Sequence, residues 1–245
     1  MKKKVLIFSL IMVVAAIVYL NRAYGHIYNM IGQAALKTPD KQLVYQLGAG
    51  EKQIKIDFLG DSLTAGVGVD DYKLSFPYLV AQKLAGNGQQ VKLIDRGVPG
   101  ARAHYVLEAL VPQVITDQPD IVVILVGTND IHGNIKRADF KNSYNQIITE
   151  IKSKTKAKIY LANLPRLGDR QLLKFPYGWY FNRRTNIFNQ IISSLAAQNQ
   201  ATMIDLYDQT LVPGKEPAYY SADNFHPGAR GYQLWADIIY AGINH

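Results

Sequence analysis

The sequence predicts an α/β fold, a parallel sheet of five strands with helices on both faces. Three observations predict it: strand-length apolar runs alternate five times with stretches of helical periodicity, one run is apolar without interruption, and the motif-bearing turns fall at the carboxyl ends of the runs. Ile54-Lys55-Ile56-Asp57-Phe58-Leu59 is the first strand of the alternation and enters a glycine-rich turn. Phe76, Leu79, Val80, Lys83 and Leu84 then keep helical spacing up to the stop at Gly86-Asn87-Gly88. Val91 to Ile94 is the second strand, followed by a helix from about Ala103 to Thr116. Ile121 to Val126 is continuously apolar, as a central parallel strand covered on both faces requires. A helix from about Phe140 to Lys154, a strand Lys158 to Ala162, a helix from about Thr185 to Gln198, a strand Thr202 to Leu206 and a helix Ala229 to Ile243 complete the pattern. Ligands of such sheets bind beyond the carboxyl ends of the strands.

The amino terminus stands apart. Lys2-Lys3-Lys4 precede a sixteen-residue uncharged run, Val5 to Leu20, closed by Asn21 and Arg22. The run exceeds the roughly 7–15 residues of a signal-peptide core and falls just short of the roughly 17–25 of a spanning helix. Ala23-Tyr24-Gly25 offers small residues where a signal peptidase inspects the chain, but Arg22 is an awkward neighbour, and an uncleaved anchor is the preferred reading. Either way the lysines stay cytoplasmic and the rest is exported, held at the cell membrane through residues 5–20 or secreted after cleavage near Gly25. The chain thus divides into a signal anchor or signal peptide over 1–25, a tether over 26–50 with a short strand from Leu43 to Leu47, and the main domain over 51–245.

Lys2, Lys3, Lys4 and Arg22, with no acid before Asp40, account for half of the net charge of +8. The remaining excess is too mild to predict a nucleic-acid partner, although it suits a domain facing anionic lipid or wall polymer. Cysteine is absent, which excludes disulfides, thiolate nucleophiles and Cys-ligated metals. Nothing in the sequence reports the oligomeric state.

Gly60-Asp61-Ser62-Leu63 places a serine in the turn after the first strand of the alternation. A serine hydroxyl is a poor nucleophile until a base, a group orienting that base and donors for an oxyanion surround it. Gly100, in the turn Asp95 to Ala101, is a candidate backbone donor, since no Cβ obstructs a substrate there. Asn129, in Gly127-Thr128-Asn129-Asp130, offers a side-chain NH₂. Asp223 and His226 sit three residues apart before the last helix, a spacing at which the carboxylate accepts from imidazole Nδ1–H and leaves Nε2 to take a proton from Ser62. His26, His104, His132 and His245 read as structural or surface groups, and Asp61 and Asp130 as acceptors of backbone N–H groups in turns. A metal held by Asp61, Asp130 and Asp223 is disfavoured, because divalent hydrolases usually add histidine or further carboxylates.

The four blocks Gly60-Asp61-Ser62-Leu63, Gly100, Gly127-Thr128-Asn129-Asp130 and Asp223-Asn224-Phe225-His226 resemble, in order and spacing, those of the GDSL or SGNH hydrolase family, over about residues 53 to 243. The resemblance implies a flavodoxin-like three-layer α/β/α fold and serine esterase, lipase, thioesterase or carbohydrate deacetylase activity without a cofactor. By position it implies Ser62 as nucleophile, Asp223 and His226 as the rest of a triad, and the Ser62 N–H, Gly100 and Asn129 as oxyanion donors. Asp95 stands where the family often has Asn, and no G-x-S-x-G elbow surrounds Ser62, unlike the α/β-hydrolases.

The expected reaction is cleavage of short acyl or acetyl esters, including those on extracytoplasmic glycans, through an acyl-Ser62 intermediate. A lysophospholipase-like lipid hydrolase and an acyltransferase that passes the same acyl group to a sugar hydroxyl stay open. A non-catalytic scaffold is at odds with the complete set of catalytic parts. The segment 163–184 reads as the longest loop, with Phe175, Tyr177, Trp179, Tyr180 and Phe181 flanked by Arg166, Arg170, Lys174, Arg183 and Arg184. It suits a lid, a sugar-stacking platform using Trp179 and Tyr180, a lipid-facing patch, or plain packing onto the domain.

Overall fold

The computed structural model describes residues 2–34, 36–41, 43–166, 168 and 172–244, so Arg170 and His245 lie outside the described residues. Six strands form one sheet: β1 (Val44–Leu47), β2 (Gln53–Gly60), β3 (Gln90–Gly97), β4 (Ile121–Leu125), β5 (Lys158–Ala162) and β6 (Thr202–Ile204), in the order β1-β3-β2-β4-β5-β6. Strands β2 to β6 are parallel to one another, in the strand order of flavodoxin-like sheets. β1 runs antiparallel to β3, with Val44 opposite Ile94 and Leu47 opposite Val91. The sheet therefore has six strands and not the expected five. The extra strand is the one assigned to the tether: Tyr45 and Leu47 pack on the core, and β1 covers a β3 edge that would otherwise stay unpaired.

All five residues of β4 are buried. Each aliphatic side chain removed from water contributes about 1.5–3 kcal/mol, which places this run at the centre. α2 (Phe76–Ala85) packs against α9 (Ala229–Asn244). α3 (Ala103–Tyr105), α4 (Val111–Asp117), α6 (Arg137–Lys154) and α7 (Tyr177–Asn199) form the second helical layer, with α5 (Thr128–His132) reaching α7. Right-handed crossovers put the two groups on opposite faces, because the chain steps from β2 to β3 in one direction and from β4 to β6 in the other.

Four element boundaries differ from expectation. A π-helical turn at Val106–Leu110, just before Pro112, splits the helix expected from Ala103 to Thr116, since Pro brings no backbone N–H to the ladder. β6 stops at Ile204, and Leu206 opens α8 (Leu206–Thr210), capped by the Asp205 carboxylate accepting from Asp208 N–H. α7 starts at Tyr177, directly after Pro176, so most of the aromatic stretch expected in a loop forms the first turns of that helix. α1 (Lys2–Ala34) continues past Gly25 into the expected tether, because Ala23 and Ile27 are buried and Met30 and Ile31 pack on the core.

The segment after α1 also carries a partly buried ion pair. Lys41 Nζ lies 3.1 Å from Asp95 Oδ1 and donates to the Gly97 carbonyl at 3.0 Å, while the Gly97 N–H donates to Asp95 Oδ1 at 2.7 Å. Burial pushes the Asp95 carboxyl above its ordinary value, and the Lys41 charge works against that rise. An Asp where the family often has Asn thus comes with its own counter-charge. Lys41→Ala should cost about 3 kcal/mol by leaving that carboxylate buried and unpaired, and Asp95→Asn in the same chain should restore most of it. Denaturant midpoints of the two variants check this; an unchanged midpoint for Lys41→Ala would show that the pair supports nothing.

Candidate active site

Three adjacent parallel strands deliver three of the four motif blocks to one place. Gly60 of β2 is in register with Gly97 of β3 and Leu125 of β4, so the turns holding Ser62, Gly100 and Asn129 leave the sheet side by side at its carboxyl edge. Val98, Pro99, Gly100 and Ala101 form a type II turn closed by Ala101 N–H donating to the Val98 carbonyl at 3.0 Å, with Pro99 second and Gly100 at φ +82° third. Nothing lies within 4 Å of where a Gly100 Cβ would be, so its backbone borders open space. A cavity of about 660 Å³ begins there, lined by Pro99, Gly100, Arg102, Tyr105 and Ile135 among others. Asn129 is half-buried, and its Nδ2 donates to the Ala101 carbonyl at 3.1 Å. That bond orients the amide and leaves the second Nδ2 hydrogen for another acceptor.

The fourth block arrives from the loop before α9. Asn224 takes a left-handed conformation (φ 56°), which Asn tolerates, and the loop closes through Ser221 N–H donating to the His226 carbonyl at 2.8 Å. This folds Asp223 back on its successors: Oδ1 accepts from the N–H groups of Phe225 and His226 and from the Ser221 hydroxyl, each at 2.9 Å. Oδ2 lies 2.6 Å from His226 Nδ1, and His226 Nε2 lies 3.0 Å from Ser62 Oγ. Burial alone would raise the Asp223 carboxyl, but the hydrogen bond and charge of His226 and the two backbone donors outweigh it and hold the carboxyl below its ordinary value. An ionised Asp223 accepts from Nδ1–H and turns the Nε2 lone pair toward Ser62.

Two contacts that sequence spacing does not reveal hold the His226 loop against the Ser62 turn. Tyr232 of α9 donates its hydroxyl to the Val67 carbonyl at 2.6 Å. Gly68, at φ +113°, lets the loop approach, because a Cβ there would overlap the Pro227 carbonyl. Ser221 was legible only as one more turn residue; a hydroxyl two positions before an Asp that also binds backbone N–H groups is the local signal that could have found it.

The other carboxylates near the site bond to backbone. Asp61 Oδ1 accepts from Leu63 N–H and Asp130 Oδ2 from Ala103 N–H, both at 3.0 Å. Burial pushes Asp61 up to about 7 and raises Asp130 as well. Among the described residues no three His, Cys, Asp or Glu side chains group to hold a metal ion. His132 stacks on Phe181 (ring centroids 4.8 Å apart) and meets Phe225 edge-on at 5.3 Å, and burial lowers it to about 4, so its ring stays neutral beside His226. His104 is exposed, 3.2 Å from Glu108. Trp179 lies exposed on α7 under Arg183, and Tyr180 donates its hydroxyl to Asn134 Oδ1 at 3.3 Å. Among the described residues neither bonds to Ser62 or His226; both belong to α7, the helix whose Phe181 packs on His132.

A flavodoxin-like sheet whose carboxyl edge joins Ser, His and Asp, with no G-x-S-x-G elbow, defines an α/β/α hydrolase class apart from the α/β-hydrolases. The chain belongs to the GDSL-like lipase/acylhydrolase family, whose profile matches residues 58–234. A lipase/acylhydrolase from Enterococcus faecalis is similar in structure, with TM-score 0.65 and 30% identity over 78% of this chain and 95% of that one. An acetylxylan esterase from Geobacillus stearothermophilus shares the fold at TM-score 0.64 and 19% identity, over 81% of this chain and 96% of that one. Among curated proteins, an acetylxylan esterase from Xylanibacter ruminicola is 28% identical over 79% of this chain, and an arylesterase from Vibrio mimicus is 25% identical over 78% of it. The chain spans 44% of the length of the former and 88% of the latter.

Proposed function

We propose that the chain is a carboxylic ester hydrolase that works through an acyl-enzyme on Ser62 and removes short acyl groups, acetyl among them, from esters outside the cytoplasm. The observation that carries this reading is the unbroken path Ser62–His226–Asp223, with heavy-atom separations of 3.0 and 2.6 Å. Ser62 Oγ attacks the ester carbonyl carbon while His226 Nε2 takes its proton. The oxyanion is held by the N–H groups of Ser62 and Gly100 and the free Nδ2 hydrogen of Asn129. The tetrahedral intermediate collapses as Nε2–H protonates the departing alcohol, and a water deprotonated by His226 then releases the acid.

Asn129→Ala should lower kcat by roughly 10²–10³-fold, since the amide's second hydrogen acts only on the developing charge. Steady-state kinetics with a p-nitrophenyl ester check it; a rise in KM at constant kcat would move Asn129 from oxyanion stabilisation to ground-state binding.

The preference for short acyl groups draws on the esterase relatives, acetylxylan esterases and an arylesterase. A panel of p-nitrophenyl esters tests it. Acetyl preferred over decanoyl supports the reading, and the reverse order supports a lipid hydrolase instead. Anchoring through residues 5–20, with the catalytic domain outside the cytoplasm, draws on α1: every residue from Lys2 to Arg22 is exposed, and the helix runs unbroken through the Ala23-Tyr24-Gly25 step at which a signal peptidase would need extended chain.

A further inference from the structure

We propose that the exposed aromatic and basic face around Phe175, Trp179 and Arg183 docks into the headgroup layer of an anionic phospholipid bilayer, at the level where α1 leaves the hydrocarbon. The inference rests on the anchor reading and goes beyond it: an anchor by itself leaves a domain free to swing, whereas docking fixes its height and tilt.

Four observations carry it. First, α1 packs on the body. Its 33 residues span about 50 Å against a hydrocarbon core of about 30 Å, and its second half is seated on the domain through Ala23, at 4% exposure, and Ile27, at 3%. Second, the turn that opens α7 is pinned to the end of the apolar run. Tyr19 donates its hydroxyl to the Phe175 carbonyl at 2.9 Å, Tyr177 donates to the Leu20 carbonyl at 3.2 Å, and the Tyr24 and Tyr177 rings lie 5.6 Å apart. If Val5 to Leu20 lies in hydrocarbon, Phe175 to Tyr177 lies at its boundary.

Third, the side chains at that level have the chemistry of the boundary. Phe175 is 75% exposed and Trp179 62%, far more than packing onto the domain would leave, and amphipathic aromatic rings concentrate at the membrane–water interface. Fourth, the charge matches one kind of surface. Arg183 lies 5.6 Å above the Trp179 ring, Lys174 and Arg22 are exposed nearby, and neither residues 1–39 nor residues 170–204 contain any Asp or Glu. Basic residues beside an anionic leaflet are drawn to its surface charge.

Docking would act on the site through a row of rings. The same helix presents Phe181 to His132, His132 meets Phe225, and Phe225 lies edge-on to His226 with centroids 4.9 Å apart. The wall of the site and the docked face are thus one packed unit, held at constant height above the bilayer. That geometry suits esters presented on, or anchored in, the envelope surface.

The test uses the full chain reconstituted in anionic phospholipid vesicles. The chain has two Trp, Trp179 and the buried Trp235, so the fluorescence of the parent minus that of Trp179→Phe isolates the first without disturbing the second. Docking predicts that this component falls at least about twofold with lipids brominated near the carbonyl end of their acyl chains, and that acrylamide barely reaches it. It also predicts that Lys174→Glu with Arg183→Glu weakens the bromine effect while the protein still floats with the vesicles. Flotation with a Trp179 component open to acrylamide and blind to bromine would overturn docking and leave the anchor standing. Failure to float would overturn both. Protection of Trp179 by a soluble polysaccharide without lipid would make the face a sugar platform and overturn docking.

Discussion

Ser62→Ala removes ester hydrolysis almost completely: turnover of p-nitrophenyl acetate falls by roughly 10⁴–10⁶-fold, while the circular dichroism spectrum and unfolding midpoint stay those of the parent. The fold should tolerate the change because Ser62 is half-buried in a turn whose own bonds are made by backbone and by Asp61. Ala65 N–H donates to the Asp61 carbonyl and Val67 N–H to the Ser62 carbonyl, both at 3.0 Å. The chemistry should not tolerate it, because no other hydroxyl is bonded to His226 Nε2 among the described residues. The residual rate is what the oxyanion donors and binding supply on their own. A folded Ser62→Ala variant that keeps the parent's rate would end the nucleophile assignment.

Asp223→Asn is expected to cost roughly 10⁴-fold in kcat with little change in stability. Asn keeps an oxygen at the Oδ1 position, so the bonds from Phe225 N–H, His226 N–H and the Ser221 hydroxyl survive. At the Oδ2 position it presents an NH₂ to Nδ1, which reverses the direction of that bond. Nδ1 must then accept, Nε2 carries the hydrogen, and the ring can no longer take the proton from Ser62. Asp223→Ala would lose the backbone bonds too, and should lower the unfolding midpoint as well as the rate. Comparing the two variants by kinetics and by denaturation separates the tautomer role from the structural one: equal stability losses would show that the carboxylate's charge, and not only its shape, holds the loop.

The parts of the molecule legible in the sequence are those whose signal is local. β4 announces itself by an unbroken apolar run that only a strand covered on both faces needs. The Asp223 to His226 spacing is readable because both residues belong to one turn and the carboxylate reaches its ring without help from elsewhere. What stayed hidden depends on distant partners. β1 is four residues long and exists by pairing with β3, about fifty residues away, so alternation of strands and crossover helices passes over it. The extension of α1 beyond Gly25 is set by where Ala23 and Ile27 pack, not by the polar His26 and Asn29 that interrupt its apolar pattern. The start of α7 was masked by Gly178 and a row of aromatics, all poor helix formers, in a segment held by Tyr19 and Leu20 of α1. The Tyr232 bond to Val67 joins residues 165 positions apart and has no counterpart in any local pattern.

Catalysis turns on an acyl group passing through Ser62, and covalent capture addresses that step directly. A fluorophosphonate probe mimics the ester and leaves a stable phosphonyl group on an activated serine. Incubated with the full chain and followed by peptide mass spectrometry, it should label the peptide carrying Ser62 at one equivalent per chain, and labelling should vanish in His226→Ala, where nothing takes the proton. Stoichiometric labelling of another residue, or undiminished labelling of Ser62 in the His226→Ala variant, would contradict the account.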